Sequence, residues 1–157
     1  MQLLAQEEYG LRCLVQVARQ RGSDPLTIPE IADREGLSPE YAAKLMRALR
    51  QTDLVVSTRG AGGGYRLARP AREITAWQVI QALGGSLFPA EFCDSHPGQR
   101  HDCVHSTGCS LRDLWGSVEA AIRGVLEGVT VADLARDDRI LLAIDGPPSE
   151  PKALATR

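Results

Sequence analysis

The chain of 157 residues is 43% hydrophobic and 24% charged, which is the composition of an ordinary globular protein. It is long enough for one compact domain or two small ones. No apolar run approaches the roughly 18 to 20 residues that span a bilayer, and the acidic N-terminal segment lacks the basic region of a signal peptide. We therefore expect a cytoplasmic protein without a membrane partner, in which clustered cysteines bind metal or sense redox state.

The net charge of −2 argues against a general nucleic-acid binder, but the charges are unevenly distributed. Residues 1–72 contain 11 basic and 8 acidic side chains, a net charge of +3, and the remaining residues carry −5. This mild asymmetry decides nothing alone, but it makes the N-terminal half the basic one.

The first predicted element is an amphipathic helix within residues 3–20. Its apolar residues follow the i, i+3, i+4, i+7 spacing of a helix with one buried face: Leu11, Leu14, Val15 and Ala18. Cys13 lies beside this face and is expected to be a small core residue. The breaker-rich residues 21–25 end the helix.

Two further helices follow, joined by a tight turn. Thr27 and Glu30 have the spacing of a capping box, and Gly36 stands where a C-terminal cap residue belongs. Ser38 with Pro39 begins the third helix. One face of that helix is apolar (Ala42, Leu45, Met46, Leu49), and the other is mostly polar (Tyr41, Lys44, Arg47, Ala48, Gln51). Two such helices indicate a helix-turn-helix, although any small helical hairpin shows the same pattern.

The segment after the third helix predicts a β-hairpin. Residues 54–58 have the composition of a strand, residues 59–64 form a glycine-rich turn, and residues 65–67 form the return strand. A hairpin directly after a recognition helix is a wing, and Arg59 stands at its tip. The turn does not match a nucleotide site, because it lacks the Lys-Ser/Thr ending of a phosphate-binding loop and leads into a strand.

Three more helices are predicted. The first covers residues 74–83, and its apolar residues are expected to pack on the N-terminal helix: Trp77, Val79, Ile80 and Leu83. The second is capped by Ser110 with Asp113 and has a heptad seam: Leu111, Trp115, Val118, Ile122, Val125 and Val129. The seam forms a dimer interface or packs within the monomer. A helix-turn-helix favours the dimer, because two recognition helices related by twofold symmetry match the two half-sites of a palindromic operator. Thr130 and Asp133 cap the third, short helix.

Residues 93–109 contain three of the four cysteines and all three histidines, with almost no apolar residues between them. Burial of side chains cannot order such a polar segment, so another interaction must do so. Thiolates and imidazoles suit a soft metal or an iron–sulfur cluster. The spacing matches no standard zinc pattern, which leaves a cluster, a zinc site and plain thiols as alternatives.

The chain resembles the Rrf-two family of bacterial transcription regulators, which includes iron–sulfur and nitric-oxide sensors of the IscR and NsrR type. Three motifs carry the resemblance: LxxxxEYGLRCL near the start, IPEIADREGLSPEYAAKLMRALR and LVVSTRGAGGGYRLAR. Three cysteines before a long helix complete it, over roughly residues 1–135.

The resemblance implies a mainly α fold, a winged helix-turn-helix domain with a small β-hairpin wing plus a long dimerisation helix. The expected organisation is a DNA-binding domain in residues 1–85 and a cysteine-containing, cluster-binding loop in residues 86–110. The dimerisation helix and a short helix after it would occupy residues 111–137, and a tail residues 138–157.

By this resemblance, the third helix would enter the major groove of a palindromic double-stranded operator, and Arg59 the minor groove. The chemistry agrees, because the N-terminal half of the helix offers these side chains to base edges: Ser38, Glu40, Tyr41 and Lys44. Arginine is also favoured in a narrow minor groove. Four other arginines are expected to be phosphate contacts or solvated charges, with none of them singled out: Arg47, Arg50, Arg66 and Arg69. Such a protein would be associated with the nucleoid.

By the same resemblance, Cys93, Cys103 and Cys109 would hold an iron–sulfur cluster, either [2Fe-2S] or [4Fe-4S]. The spacing between Cys93 and Cys103 is about four residues longer than is usual in the family, and Arg112 replaces a family histidine. Glu8 of the partner subunit is the candidate fourth ligand, with a solvated glutamate as the alternative. The loop histidines are local competitors that are more simply explained as solvated: His96, His101 and His105.

These features predict a dimeric DNA-binding repressor whose operator binding is controlled by a cluster sensing redox state, nitric oxide or iron status. One alternative retains the DNA-binding regulator and uses the cysteines as a zinc or thiol switch. A metalloenzyme is disfavoured, because the sequence offers neither a nucleophile–base pair nor a pair of carboxylates.

Overall fold

The computed structural model describes residues 4–20, 22, 24–60, 62–85, 88 and 108–136. It is mainly helical with one antiparallel hairpin, which confirms the predicted winged-helix fold class. The elements are α1 (Ala5–Arg19), α2 (Ile28–Glu35), α3 (Pro39–Gln51), β1 (Val55–Thr58), β2 (Gly64–Leu67), a 3-10 turn (Ala71–Glu73), α4 (Ala76–Gly84), α5 (Ser110–Glu127) and α6 (Val131–Ala135). Within these residues, no helix is both long and apolar enough to cross a membrane.

Helix α1 is the central element and packs against α2, α3, α4 and α6. Its buried face consists of Glu7, Gly10, Cys13, Leu14 and Val17. The predicted stripe is therefore only partly right, since Leu11 and Ala18 are half-buried and Val15 lines a surface cleft. The buried face is rotated relative to the predicted stripe because helices cover α1 on several sides. Cys13 is a core residue, as expected.

Helices α2 and α3 form the predicted helix-turn-helix, and their boundaries are set by local hydrogen bonds. The carboxylate of Glu30 accepts the Thr27 N–H at 2.8 Å and the Thr27 hydroxyl at 2.6 Å, which completes the predicted capping box. These bonds hold the pKa of Glu30 below its usual value. Gly36 ends α2 with a φ of 65°, and Ser38 Oγ accepts the Tyr41 N–H at 3.2 Å.

The wing is tied to the body of the domain at its base. Strands β1 and β2 pair from Val55 with Leu67 to Thr58 with Gly64. Leu26, in the α1–α2 connection, donates its N–H to Tyr65 O at 2.9 Å, and Tyr65 returns its N–H to Leu26 O at 2.8 Å. The Leu26 backbone therefore pairs with β2 as a one-residue bridge beside the hairpin. This bridge fixes the direction of the hairpin relative to α2, which begins two residues later.

Helix α5 leaves the domain and α6 returns to it. The Ala76 N–H donates to Val129 O and the Val131 N–H donates to Ile74 O, both at 2.8 Å. These bonds pair the N-cap residues of α4 and α6, Thr75 and Thr130, as an antiparallel bridge. Val129 and Val131 are buried in the domain. The last position of the predicted heptad seam is thus a monomer core residue, and the seam on α5 itself ends at Val125.

Helix α4 packs on α1 as predicted, and Val79 and Ile80 are buried. Trp77 is only half-buried and lines a surface cleft with Thr52 and Arg69. The core contact of α4 therefore comes from its aliphatic residues.

Candidate DNA-binding surface and metal ligands

The N-terminal half of α3 presents the predicted base-reading side chains on one exposed surface. Ser38, Glu40 and Lys44 are exposed, whereas the opposite face of α3 is buried in the core. The Ser38 hydroxyl already caps α3, so it contributes to recognition only while holding that bond. Exposed polar groups on the first turns of a recognition helix are the ones that reach base edges.

Tyr41 differs from these residues because it is half-buried. Its ring contacts the ring of Tyr9 on α1 in an edge-to-face arrangement, with the centroids 6.1 Å apart and the planes at 78°. The Arg12 guanidinium lies 5.2 Å from the Tyr9 centroid and is paired with Glu35 at 2.6 Å. Tyr41 is therefore positioned by α1, a contact that the sequence pattern did not indicate.

Arg59 follows β1 and is exposed, as expected for the tip of a wing. It lines a cleft of about 360 Å³ between the wing and the start of α2. Arg50, in the last turn of α3, lines the same cleft and donates to Ser57 Oγ at 3.2 Å. The sequence does not distinguish Arg50 from Arg47, Arg66 and Arg69, because the Ser57 hydroxyl that binds its guanidinium belongs to a different element, β1.

Cys109 occupies the N-cap position of α5, which corrects the prediction that Ser110 is the cap. The helix starts one residue earlier than expected, after Gly108, whose φ is 71°. Cys109 is half-buried and makes no side-chain cap hydrogen bond. Its sulfur lies at the positive end of a helix, where negative charge such as that of a thiolate is favoured.

The other predicted loop ligands lie outside the described residues: Cys93, Cys103, His96, His101 and His105. Among the residues described, no group of three or more His, Cys, Asp or Glu side chains could hold a metal ion. The described part of the chain thus contains two of the four predicted ligands, Cys109 and Glu8.

The two adjacent glutamates of α1 have different surroundings. Glu7 is 4% exposed, and its Oε2 accepts the Leu4 N–H at 2.7 Å. Its carboxylate fills the space beside Gly84 at the end of α4, where a larger residue would collide with it. Glu8 is exposed and lines a surface cleft with Leu11 and Arg12. Glu8 is therefore the solvent-exposed carboxylate of the pair, and Glu7 is structural.

Cys13 is expected to be unreactive toward thiol reagents in the folded protein. Burial raises the pKa of the Cys13 thiol to about 12, so that at about pH 8 only about one molecule in ten thousand carries the nucleophilic thiolate. Alkylation with iodoacetamide, followed by peptide mass spectrometry, should label Cys13 only after denaturation. Labelling of Cys13 in the native protein at the rate of a free thiol would contradict this burial.

Comparisons with known proteins identify the family. The family model for Rrf2, described as an iron-dependent transcriptional regulator, matches residues 3–137. The protein rrf2 of Nitratidesulfovibrio vulgaris is 36% identical over 137 residues, which cover 87% of this chain and 89% of that protein. The transcriptional regulator IscR of Photobacterium profundum is 32% identical and covers 89% of this chain and 78% of its own length.

Solved structures agree with the sequence comparisons. The global cysteine regulator CymR of B. subtilis has a TM-score of 0.69 and 30% identity, covering 86% of this chain and 96% of its own. IscR of T. potens also has a TM-score of 0.69 and 30% identity, covering 93% and 94% of the two chains. These proteins are regulators rather than enzymes, as predicted, and the chain belongs to the Rrf2 family of DNA-binding transcriptional regulators.

Proposed function

We propose that this regulator is a homodimeric repressor whose affinity for a palindromic operator is controlled by an iron–sulfur cluster. The cluster is held by Cys93, Cys103 and Cys109, with Glu8 of the partner subunit as the fourth ligand. When bound, it supplies an iron centre that reacts with oxidants or nitric oxide, or is lost when iron is scarce. The observation that carries the proposal is that Cys109 makes no helix-capping side-chain hydrogen bond and Glu8 is exposed, in a family described as iron-dependent.

The donor chemistry fits such a cluster. Thiolates are the usual ligands of iron–sulfur clusters, and a carboxylate is a harder ligand that leaves its iron more accessible. The burial of Cys13 excludes it as a fourth thiolate in this fold. The burial of Glu7 likewise leaves Glu8 as the carboxylate of the first helix turns that can meet another subunit.

DNA reading is assigned to two elements. Ser38, Glu40, Tyr41 and Lys44 of α3 contact base edges in the major groove, and Arg59 enters the minor groove. The support for this assignment is the common exposure of Ser38, Glu40 and Lys44 and the position of Arg59 at the wing.

The route between the two sites runs through α1. Glu8 is followed directly by Tyr9, whose ring contacts Tyr41 of the recognition helix. A change in the bond between Glu8 and a bound cluster would shift the first turns of α1, and Tyr9 would pass that shift to Tyr41. The cluster state would thereby bias the equilibrium between DNA-binding and non-binding arrangements.

The first test is the visible absorption spectrum of anaerobically purified protein, with iron, sulfide and zinc measured on the same sample. A brown protein with matched iron and sulfide supports the cluster. A protein that stays colourless after anaerobic reconstitution, and that holds zinc or free thiols, overturns the cluster in favour of a zinc or thiol switch.

Cys103→Ala is expected to uncouple operator affinity from cluster state, because a cluster with two remaining thiolates is not retained. Operator binding, measured anaerobically before and after cluster loading, should differ in the wild type and be the same in the variant. Cys13→Ala is the matched control, since it also removes one cysteine but leaves the proposed ligands intact. Unchanged coupling in Cys103→Ala would reject the ligand assignment.

A further inference from the structure

The cleft between the wing and the start of α2 has a charge pattern that the assigned base-reading residues do not explain. It measures about 360 Å³, and among the described residues that line it the charged side chains are Arg50 and Arg59. Hydroxyl-bearing side chains also line it: Ser57, Thr58, Tyr65 and Thr27, the last already bonded to the Glu30 carboxylate. A cleft lined by two cations and several hydroxyls has the chemistry of a phosphate site.

Arg50 is held across this cleft. It belongs to the last turn of α3, and its Nη1 donates to Ser57 Oγ of β1 at 3.2 Å. A neutral hydroxyl uses only one of the five guanidinium donors. Within the described part of the chain, Arg50 has no carboxylate partner. The charge is thus positioned between the recognition helix and the wing without being neutralised there.

The geometry of duplex DNA shows what faces this position. A recognition helix in the major groove and a wing in the adjacent minor groove lie on either side of one sugar–phosphate strand, because that strand separates the two grooves. We infer that Arg50, oriented by Ser57, binds a backbone phosphate of the strand that passes between α3 and the wing. This inference rests on the proposed assignment of α3 and Arg59 to the two grooves.

The structure also separates Arg50 from the other arginines of the hairpin region. Arg66 pairs with Val56 across the hairpin, and Val56 is 49% exposed, so these two side chains share the outer face. Ser57 shares the opposite face with Val55, which is 1% exposed. Arg69 donates to Gln78 Oε1 at 3.4 Å, on α4. Arg66 lines a different surface cleft, so it is a matched control: an exposed arginine on the same hairpin that does not line the cleft of Arg50.

The test compares Arg50→Ala, Ser57→Ala and Arg66→Ala in full-length protein. Two probes are used: an operator duplex selected in vitro from a random pool, and a scrambled duplex of the same length. Affinity is measured by fluorescence anisotropy over a series of salt concentrations. Far-UV circular dichroism and thermal melting establish that each variant is folded, which is expected because both arginines are exposed.

Arg50→Ala should weaken binding about tenfold on both duplexes, because a phosphate contact carries no sequence information. The slope of log K against log salt is negative, and it should become less steep by about 0.9 for each lost phosphate contact, hence by about two for a dimer. Ser57→Ala keeps the charge and should give a smaller loss with a nearly unchanged slope. Arg66→Ala should match the wild type in both quantities.

The inference is overturned if Arg50→Ala leaves the salt slope unchanged, or if Arg66→Ala lowers it equally. A different result would contradict the proposed groove assignment. If α3 and Arg59 do not enter the two grooves, Lys44→Ala and Arg59→Ala will not reduce the preference for the selected operator over the scrambled duplex. A lost preference in those variants with a wild-type slope in Arg50→Ala would reject the phosphate contact alone.

Discussion

Val125→Glu is expected to raise the dissociation constant of the proposed dimer at least tenfold and to weaken operator binding in parallel. The described residues of α5 include none that is buried, yet one stripe of the helix carries large apolar side chains: Leu111 is 57% exposed, Val125 38%, and Trp115 36% even though its ring stacks on Phe88 of the same chain. Such a stripe is normally covered by a partner, and a second copy of α5 has the matching heptad pattern. In a symmetric dimer the carboxylate occurs twice, so that two charges lose water at one interface.

Sedimentation velocity over a range of concentrations measures the effect directly. Ala120→Glu is the matched control, because Ala120 is an exposed residue of the same helix on the face opposite the stripe. It should dimerise like the wild type. Since Val125 is already exposed in one subunit, the thermal unfolding of the isolated subunit should be similar in both variants. If Val125→Glu remains a dimer with wild-type affinity, the seam on α5 is not the dimer interface.

The helix boundaries of the DNA-binding half could be predicted because capping joins residues that are close in sequence. Thr27 bonds with Glu30 and Thr130 with Asp133, each pair three residues apart. The Thr130 hydroxyl and amide hold the pKa of Asp133 below its usual value, as the same bonds do for Glu30. Contacts of this kind depend on no other element, so a sequence pattern is sufficient to find them.

Contacts between distant elements could not be predicted in the same way. Glu7 and Glu8 are equivalent in the sequence, and only the packing of α4 against α1 buries the first and exposes the second. The Arg50–Ser57 bond likewise depends on the angle between α3 and β1. The start of α5 is a smaller case, where the preference for Ser at a cap favoured Ser110 over Cys109. The ligand set of the loop stays a prediction, because Cys93 and Cys103 lie outside the described residues.

Gly63→Ala is expected to weaken operator binding more than tenfold while leaving the helical core folded. A Cβ at position 63 would lie 2.5 Å from Thr58 O and 2.8 Å from Gly60 O. Both are backbone atoms on either side of Arg59, and the Gly63 N–H itself closes the turn on Gly60 O at 2.9 Å. Backbone atoms cannot move out of the way as the end of a flexible side chain can. The turn must therefore open to relieve the clash, and Arg59 loses its position relative to α3.

Gly62→Ala is the control for this prediction, because a Cβ there meets nothing within 4 Å. It should bind the operator within about twofold of the wild type, as surface substitutions without a packing role usually do. Gly64 is a poorer choice, since a Cβ there would strike the Leu26 backbone, which ties the wing to the domain. Anisotropy titrations of both variants, with far-UV circular dichroism to monitor the helices, decide the matter. Equal operator affinity for Gly63→Ala and Gly62→Ala would mean that recognition does not require the shape of the wing, because only the first substitution forces that shape to change.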